Sequence, residues 1–270
     1  MSHRSRPQPP SWLHWLDTCS STNTWAIEHL ATLQHGDVVF TPRQTAGRGQ
    51  HGRIWHSPKG VLTASFILEN IPVVQLPAVS LGAGLAVIDA VEALLPPLQG
   101  MLQLKWSNDV LFKGRKLAGI LCEASANRKM GRVVVGIGLN CHVDFEQAGL
   151  TDRAIGQAIS LHHVSTTVPD TLLLIERLRH HLLHIAGLLQ AAQPDSLSHS
   201  GLKAFLPALR RRDALQGQDI IVVLQGEHIA GKAVGISDRG YLLLQLPDSE
   251  VRSFVSGHIL WQQRECRSSD

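Results

Sequence analysis

A cationic, glycine-rich stretch at residues 44–59, QTAGRGQHGRIWHSPK, constrains the fold of this chain more than any other feature. Three glycines alternate with arginines and histidines, and no Asp or Glu occurs between Asp37 and Glu69. Glycines let backbone N–H groups approach an anion closely, and arginine adds bidentate contacts to phosphate or carboxylate oxygens. The stretch therefore predicts an anion-binding loop, with a solvated basic hairpin loop as the alternative.

The spacing of these glycines, at positions 47, 49 and 52, is GxGxxG. This spacing marks a dinucleotide-binding turn when a strand precedes it and a helix opens directly after it. Residues 38–41 have the composition of a strand, but the following IWHSPKG at 54–60 indicates loop and turn. We therefore reject the doubly wound dinucleotide-binding fold for this chain.

Hydrophobic periodicity divides the chain into two regions that meet near Arg212. The second region contains short strands separated by turn residues, which is typical of a small β-barrel. Residues 1–11 are basic and proline-rich and lack the apolar core of a signal peptide, so we expect a disordered lead-in. The predicted helices are 22–34, 77–95 and 169–190; the predicted strands are 37–42, 61–68, 102–106, 110–112, 117–124, 132–139, 220–224, 228–236, 240–246 and 250–256.

Composition excludes several classes of protein. The net charge of +3 and the pI near 8.8 are too mild to imply nucleic-acid binding. The longest uncharged run, between Glu69 and Asp89, is interrupted by prolines and amides, so it predicts no membrane span. The four cysteines are widely spaced without a CxxC pair, which favours a reduced cytoplasmic protein without a cysteine-based zinc site. His180 and His184 are spaced i,i+4 but lack an HExxH motif, which favours the polar face of a helix over a metal site.

Five motifs occur in one order along the chain. They are SSTN at 20–23, GRGQHGR at 47–53 with Trp55 after it, KWSND at 105–109, RKLAGIL at 115–121 and GIGLN at 136–140. Together they resemble the biotin–protein ligases, also called biotin–[acetyl-CoA-carboxylase] ligases, over about residues 15–265.

The resemblance implies a fold and a domain organisation. The expected catalytic domain, at 12–211, is an α/β (α+β) domain with a mixed sheet, similar to the class II synthetases. The expected C-terminal domain, at 212–270, is a small SH3-like β-barrel. No helix-turn-helix domain fits before Trp12, so the chain looks like the monofunctional, ligase-only form without specific DNA binding.

The resemblance also implies a two-step reaction. Biotin's carboxylate attacks the α-phosphate of ATP to give biotinyl-5′-AMP and diphosphate, and a lysine of the acceptor then takes the biotinyl group. The expected substrates are biotin and ATP with Mg²⁺, and the expected partner is the biotin carboxyl carrier protein of acetyl-CoA carboxylase. We expect a cytoplasmic monomer or homodimer that does not bind membranes. Two alternatives remain: a lipoate–protein ligase, and a non-enzymatic nucleotide- or nucleic-acid-binding regulator.

Two basic residues carry the expected catalysis. Lys105 follows apolar Leu104 on a predicted strand, where an unpartnered lysine is rarely buried. By resemblance it bridges the biotin carboxylate and the ATP α-phosphate; the alternative is an outward-facing edge lysine. Arg48 is expected to contact phosphate and the biotin carboxylate. Asp109 is expected to help place Mg²⁺ or Lys105, although the side chains form no obvious metal cluster.

The remaining site residues are assigned by the same resemblance. Four polar residues are expected to bind the ureido ring of biotin: Ser21, Thr22, Asn23 and Gln44. Helix capping is a second role for the hydroxyls of Ser21 and Thr22. Trp55 is expected to stack on adenine, with a core position as the alternative. Gln50 departs from the arginine of many relatives and so gives up one positive charge. The expected binding residues are Ser21, Thr22, Asn23, Gln44, Arg48, Gly49, Gln50, Lys105 and Gly119 for biotin and its adenylate, and Trp55, Asn140 and Asp109 for ATP.

Overall fold

A seven-stranded mixed sheet forms the first part of the chain. The computed structural model describes residues 10–149, 157–191 and 201–261. The strand order is β1-β2-β3-β7-β6-β5-β4; only β1 and β2 pair in parallel, and all other neighbours are antiparallel. The strands are β1 (Leu13–Trp15), β2 (Val38–Thr41), β3 (Val61–Pro72), β4 (Leu102–Lys105), β5 (Asp109–Phe112), β6 (Arg115–Ala126) and β7 (Met130–Asn140).

Within the described residues, four α-helices accompany this sheet: α1 (Thr22–Glu28), α2 (Leu76–Leu94), α3 (Thr171–Gln190) and α4 (Leu206–Arg212). The long helices α2 and α3 cover one face, where Gly84 of α2 lies directly against Leu104 of β4. The short α1 covers part of the other face, and its Ala26 packs with Ile67 and Val134. The rest of that second face stays open, and the site described below occupies it.

Prolines set the two ends of helix α2, and its apolar surface packs it against the rest of the core. Pro77 lies in its first turn, where a missing N–H costs little, and the helix ends just before Pro96. The stretch Val73–Leu94 is long and apolar enough to cross a membrane, but most of it is buried against the sheet and α3. It has the burial of a core helix.

A second, five-stranded antiparallel sheet forms the C-terminal part, where the sequence predicted a small β domain. Its order is β11-β10-β9-β8-β12, with β8 (Asp219–Leu224), β9 (Glu227–Ile236), β10 (Leu242–Gln245), β11 (Val251–Phe254) and β12 (His258–Leu260). Two hydrogen bonds join it to the Lys105 segment: Ala214 N donates to Leu104 O at 3.0 Å, and Trp106 Nε1 donates to Gly240 O at 3.0 Å. The mixed-sheet domain and the small C-terminal β domain of the predicted fold class are both confirmed.

Several element bounds differ from the predictions. The helix predicted at 22–34 ends at Glu28, and the Thr32 hydroxyl donates to His29 O at 2.9 Å, competing with helical backbone bonds in the residues that follow. Strand β3 continues four residues further than predicted, because a bulge after Leu68 preserves its pairing. The short elements β1, α4 and β12 were not predicted. Most of the predicted lead-in, residues 1–9, lies outside the described residues.

Candidate active site

One row of paired residues crosses the open face of the large sheet. Thr63 of β3 pairs with Gly138 of β7, and Gly138 pairs with Gly119 of β6. Gly119 then pairs with Asp109 of β5, and Asp109 pairs with Lys105 of β4. Since directly paired residues point to the same face, the strands themselves bring Lys105 and the two glycines together. This row is the floor of a cavity on the open face of the sheet.

The two floor glycines make room for Trp55. A Cβ atom at Gly138 would lie 2.2 Å from Trp55 Cζ2, and one at Gly119 would lie 3.0 Å from Trp55 Cζ3. The indole therefore lies directly on β6 and β7, with its Nε1 buried and without a hydrogen-bond partner among the described residues. Lys116 Nζ lies 5.3 Å from the ring centroid. A flat aromatic surface beside a cation is suited to a nucleotide base and its phosphates.

The floor row ends in a group of charges. Lys116 Nζ lies 2.6 Å from Asp109 Oδ1, so the carboxylate next to Lys105 in the row already forms an ion pair. Burial lowers the pKa of Lys105; Asp109 opposes this effect, and the charges of Lys116 and Arg53 add to it. An ammonium group that is desolvated next to two other cations gains most from an anion placed beside it. This part of the cavity is therefore suited to a phosphate or a carboxylate.

The other end of the cavity carries neutral polar groups. Gln44 Oε1 accepts from Thr22 N at 2.9 Å, and Gln44 Nε2 donates to Ser57 Oγ at 3.2 Å. The Ser65 hydroxyl lies 2.7 Å from Thr22 Oγ1 and 2.6 Å from Asn23 Oδ1. Such a set of donors and acceptors beside apolar surface fixes the orientation of a small polar ring. Ser21 caps α1 over a long 3.4 Å contact from Thr24 N, so its capping role is confirmed.

Arg48 leaves the glycine loop and meets a carboxylate on the sheet. Arg48 Nη2 donates to Glu123 Oε2 at 2.6 Å, and the same oxygen accepts from Asn23 Nδ2 at 2.8 Å. The loop itself is a tight turn in which Gly49 N donates to Arg53 O at 2.7 Å and Trp55 N donates to Gly47 O at 2.9 Å. The backbone thus fixes the loop's shape, and Glu123 fixes the direction of its arginine.

The C-terminal domain contributes the remaining wall. Gly257, His258 and Ile259 at the start of β12 line the cavity. Burial and the charges of Arg53, Lys105 and His51 lower the pKa of His258, which Asp109 partly offsets. The positive charges of Arg53 and Lys105 that face His258 also favour an anionic ligand in this part of the cavity.

The structure brings together all but one of the predicted site residues. Asn140 lies outside the cavity lining: its Nδ2 donates to Ile159 O at 3.1 Å and to Lys116 O at 3.3 Å, so it anchors the start of β6 to the segment at Ile159. The predicted residues that line the cavity are Ser21, Thr22, Asn23, Gln44, Arg48, Gly49, Gln50, Trp55, Lys105, Asp109 and Gly119.

Four contributors were not predicted from the sequence. Glu123 is four residues from Gly119 on the same strand, so alternation could have identified it. Lys116 is three residues from Gly119, and it shares that face only because the β5–β6 pairing is irregular between Val110 and Leu111. Arg53 belongs to the glycine loop and could have been included on charge alone. His258 had no sequence signal, because only the packing of the C-terminal domain brings it to the cavity.

The cavity lining offers little for a metal ion on its own. Asp109 is the one carboxylate among the described lining residues, and residues 10–149, 157–191 and 201–261 contain no group of three or more His, Cys, Asp or Glu that could hold a metal. The side chains alone therefore do not make a metal-binding cage.

Comparisons with known proteins agree on one family. Residues 15–140 match the Biotin/lipoate A/B protein ligase family, and residues 216–260 match the Biotin protein ligase C terminal domain. The biotin–[acetyl-CoA-carboxylase] ligase of Mycobacterium tuberculosis is 32% identical over 239 residues, covering 86% of this chain and 83% of that protein.

Two further proteins give the same result. The bifunctional ligase/repressor BirA of Bacillus spizizenii is 32% identical over 241 residues, which cover 86% of this chain and 69% of that protein. A solved biotin protein ligase from Aquifex aeolicus, in complex with biotin and ATP, superposes with a TM-score of 0.71 at 27% identity, covering 93% of this chain and 99% of that one. By sequence and by fold, the chain belongs to the biotin protein ligase family.

Proposed function

We propose that the cavity over the Thr63–Gly138–Gly119–Asp109–Lys105 row is where this biotin ligase carries out both steps of its reaction. The enzyme attaches biotin in an ATP-dependent reaction, as its family does. The observation that carries the placement is the convergence of cations on one sheet face, with Trp55 beside them and neutral polar groups at the other end. The cations are suited to phosphate, Trp55 to adenine, and the neutral polar groups to the ureido ring of biotin.

In the first step, an oxygen of the biotin carboxylate attacks the α-phosphorus of ATP, and the bond to the departing diphosphate breaks. Negative charge accumulates on the phosphoryl oxygens, and Lys105 lies where it stabilises that charge. Because Lys105 is partly buried among cations, it gains more from an arriving anion than a solvated lysine would. Arg48 and Arg53 add positive charge from the glycine loop.

In the second step, the uncharged amine of an acceptor lysine attacks the acyl carbon of biotinyl-5′-AMP. The carbon–oxygen bond to AMP breaks, AMP leaves, and the amine nitrogen loses a proton as the amide forms. The mixed anhydride must be protected from water between the two steps. The loop at 47–55 and the C-terminal residues at 257–259 both line the cavity, which supports a role in that protection.

Mg²⁺ fits this site only as an ion carried largely by the nucleotide. The one lining carboxylate, Asp109, is already paired with Lys116, and Mg²⁺ in phosphoryl-transfer sites commonly uses one or two carboxylates together with substrate phosphates. Asp109 is the residue that would hold it. The ion would supply charge neutralisation on the triphosphate.

The acceptor, location and assembly are also proposals. Relatives named biotin–[acetyl-CoA-carboxylase] ligases support the biotin carboxyl carrier protein of that carboxylase as the partner. We further propose a cytoplasmic enzyme, monomeric or homodimeric, that binds neither membranes nor specific DNA sequences. A lipoate ligase and a non-enzymatic regulator are less well supported, because residues 216–260 match a domain named for biotin protein ligases.

The deciding experiment is ATP–diphosphate exchange with biotin or lipoate supplied separately. We expect exchange with biotin alone, and transfer of biotin to a lysine of a carboxyl carrier domain when that domain is added. Exchange with lipoate but not biotin would refute the proposal, and binding of nucleotide without any exchange would favour the regulator.

A further inference from the structure

A chain of hydrogen bonds runs from the buried sheet to the arginine of the glycine loop. Ser65 Oγ lies 2.6 Å from Asn23 Oδ1, Asn23 Nδ2 donates to Glu123 Oε2 at 2.8 Å, and Arg48 Nη2 donates to the same oxygen at 2.6 Å. Ser65 is fully buried and Asn23 is 3% exposed, whereas the Arg48 side chain is 44% exposed. The chain therefore connects the rigid core to a group at the cavity's edge.

Asn23 uses most of its hydrogen-bonding capacity within the protein. Its amide nitrogen donates to Leu121 O at 3.1 Å as well as to Glu123, so both N–H groups have partners. Its oxygen lies beside the Ser65 hydroxyl, which leaves one lone pair for a ligand. Asn23 also lies against Gly136, where a Cβ atom would be 2.3 Å from Asn23 Oδ1. These contacts fix the orientation of the Asn23 amide.

Glu123 does not line the cavity, but it binds Arg48, which does. Within the described residues, the hydrogen bond and ion pair to Glu123 are the only ones that the Arg48 side chain makes. An arginine free to rotate loses roughly 2 kcal/mol of side-chain entropy when it is ordered by a ligand. An arginine already ordered by a carboxylate loses less, and four of its five N–H groups remain available.

We infer that Glu123, oriented by Asn23, is a positioning residue that preorganises Arg48 for biotin and its adenylate. The inference rests on the proposed function of the cavity. Glu123 does not touch the substrate, so its loss should weaken ligand binding and leave the chemical step almost unchanged.

The test is Glu123→Gln, which keeps the shape of the side chain but removes its charge. In biotin-dependent ATP–diphosphate exchange we expect the KM for biotin to rise about tenfold, because a partly exposed charge-assisted hydrogen bond is lost. We expect kcat to stay within about twofold, because the Arg48 charge itself remains in the variant and Lys105, which stabilises the developing charge, is untouched. This split between KM and kcat separates positioning from a general structural defect.

The matched control is Glu69→Gln. Glu69 forms an ion pair of similar exposure with Arg132, on a part of the β3–β7 pair that is not in the cavity lining. This change removes the same charge and should leave the KM for biotin unaltered. An equal rise in both variants would mean that the effect follows from net charge, and the inference would be wrong.

A double-mutant cycle adds a second criterion. With Kd for biotin measured by calorimetry, Glu123→Gln should have little further effect in an Arg48→Gln background, because the residue it positions is gone. Full additivity would overturn the inference, and so would tighter biotin binding by Glu123→Gln, which would show that Glu123 competes with the ligand for Arg48.

Gly136→Ala provides an independent route if Glu123→Gln does not fold. Its methyl group would lie 2.3 Å from Asn23 Oδ1 and must displace Asn23, so it should raise the KM for biotin, and the rise should be much smaller in an Arg48→Gln background. An equal rise in both backgrounds, or an unchanged KM, would refute the inference. If the unaltered enzyme shows no biotin-dependent exchange, the proposed function fails. If it is active and the variants match it, only the role of Glu123 fails.

Discussion

Gly138→Ala tests whether the floor of the cavity exists to accommodate Trp55. The added methyl carbon would lie 2.2 Å from Trp55 Cζ2, 2.3 Å from Cε2 and 2.7 Å from Nε1. Carbon atoms in contact are separated by about 3.6 Å, so the ring must move by about 1.4 Å, the difference between those two distances. Trp55 is on a loop and can move, so we expect a stability cost near the low end of overpacking, about 1 kcal/mol.

The main loss should therefore appear in nucleotide binding. A displaced indole no longer presents its face to adenine, and aromatic pairing contributes about 0.5–1.5 kcal/mol, so the KM for ATP should rise up to about tenfold. The assay is biotin-dependent ATP–diphosphate exchange, with KM measured for ATP and for biotin separately. The KM for biotin should change less, because the polar groups that face its ring are at the other end of the cavity.

Two further variants decide whether the ring is the cause. Gly119→Ala places its methyl 3.0 Å from the ring, which a shift of a few tenths of an ångström relieves, so its effect should be much smaller. In a Trp55→Ala background, Gly138→Ala should add almost nothing. A tenfold rise that persists in that background would show that the methyl group blocks the ligand directly, and the reasoning would be refuted.

Four other predictions follow from single side chains. Lys105→Ala should lower adenylation by ~3 kcal/mol or more in transition-state energy with a native circular dichroism spectrum, and full activity would contradict its assignment. Burial lowers the pKa of Lys105 in the folded protein, so the unfolded state binds this proton more readily. The free energy of unfolding should therefore rise with pH between the lowered and the ordinary pKa of lysine. Lys105→Met should remove this pH dependence and raise the melting temperature at neutral pH. Gln50→Arg should slow dissociation of biotinyl-5′-AMP about tenfold if one charge-assisted bond adds ~1.4 kcal/mol, and should reduce labelling of bystander lysines; equal off-rates would show that Gln50 is only a tolerated substitution. Glu92→Gln should cost about 3 kcal/mol, because Glu92 is 2% exposed and binds Arg212 through both oxygens, whereas Glu69→Gln in a more exposed pair should cost about 1 kcal/mol or less; equal losses in thermal unfolding would contradict this.

The sequence alone indicated the reaction and named most of the predicted residues that line the cavity. The glycine loop, the lysine after an apolar strand and the ordered motifs each combine residue types whose chemistry is local. An arginine between glycines indicates an anion wherever the loop lies. The strands and long helices were also predictable, because alternation and 3.6-residue periodicity are local properties. Short elements such as β1 and β12 were missed, because three residues carry too little pattern and form only by pairing with a longer strand.

Tertiary structure decided which of these residues meet. Strand register places Lys105, Asp109, Gly119, Gly138 and Thr63 in one row, and register depends on pairing between segments far apart in the chain. The same is true of the partner of Asp109, which is Lys116 rather than Lys105.

Site residues that are far apart in the sequence could be brought together only by the folded structure. Arg48 and Glu123 are 75 residues apart, and His258 reaches the cavity from a separate sheet. Asn140 shows the converse: it belongs to a site motif, yet the fold directs its amide to two backbone carbonyls. A sequence specifies which groups are available for chemistry, but long-range pairing and domain packing determine which of them face a common cavity, because those contacts depend on positions that no local pattern encodes.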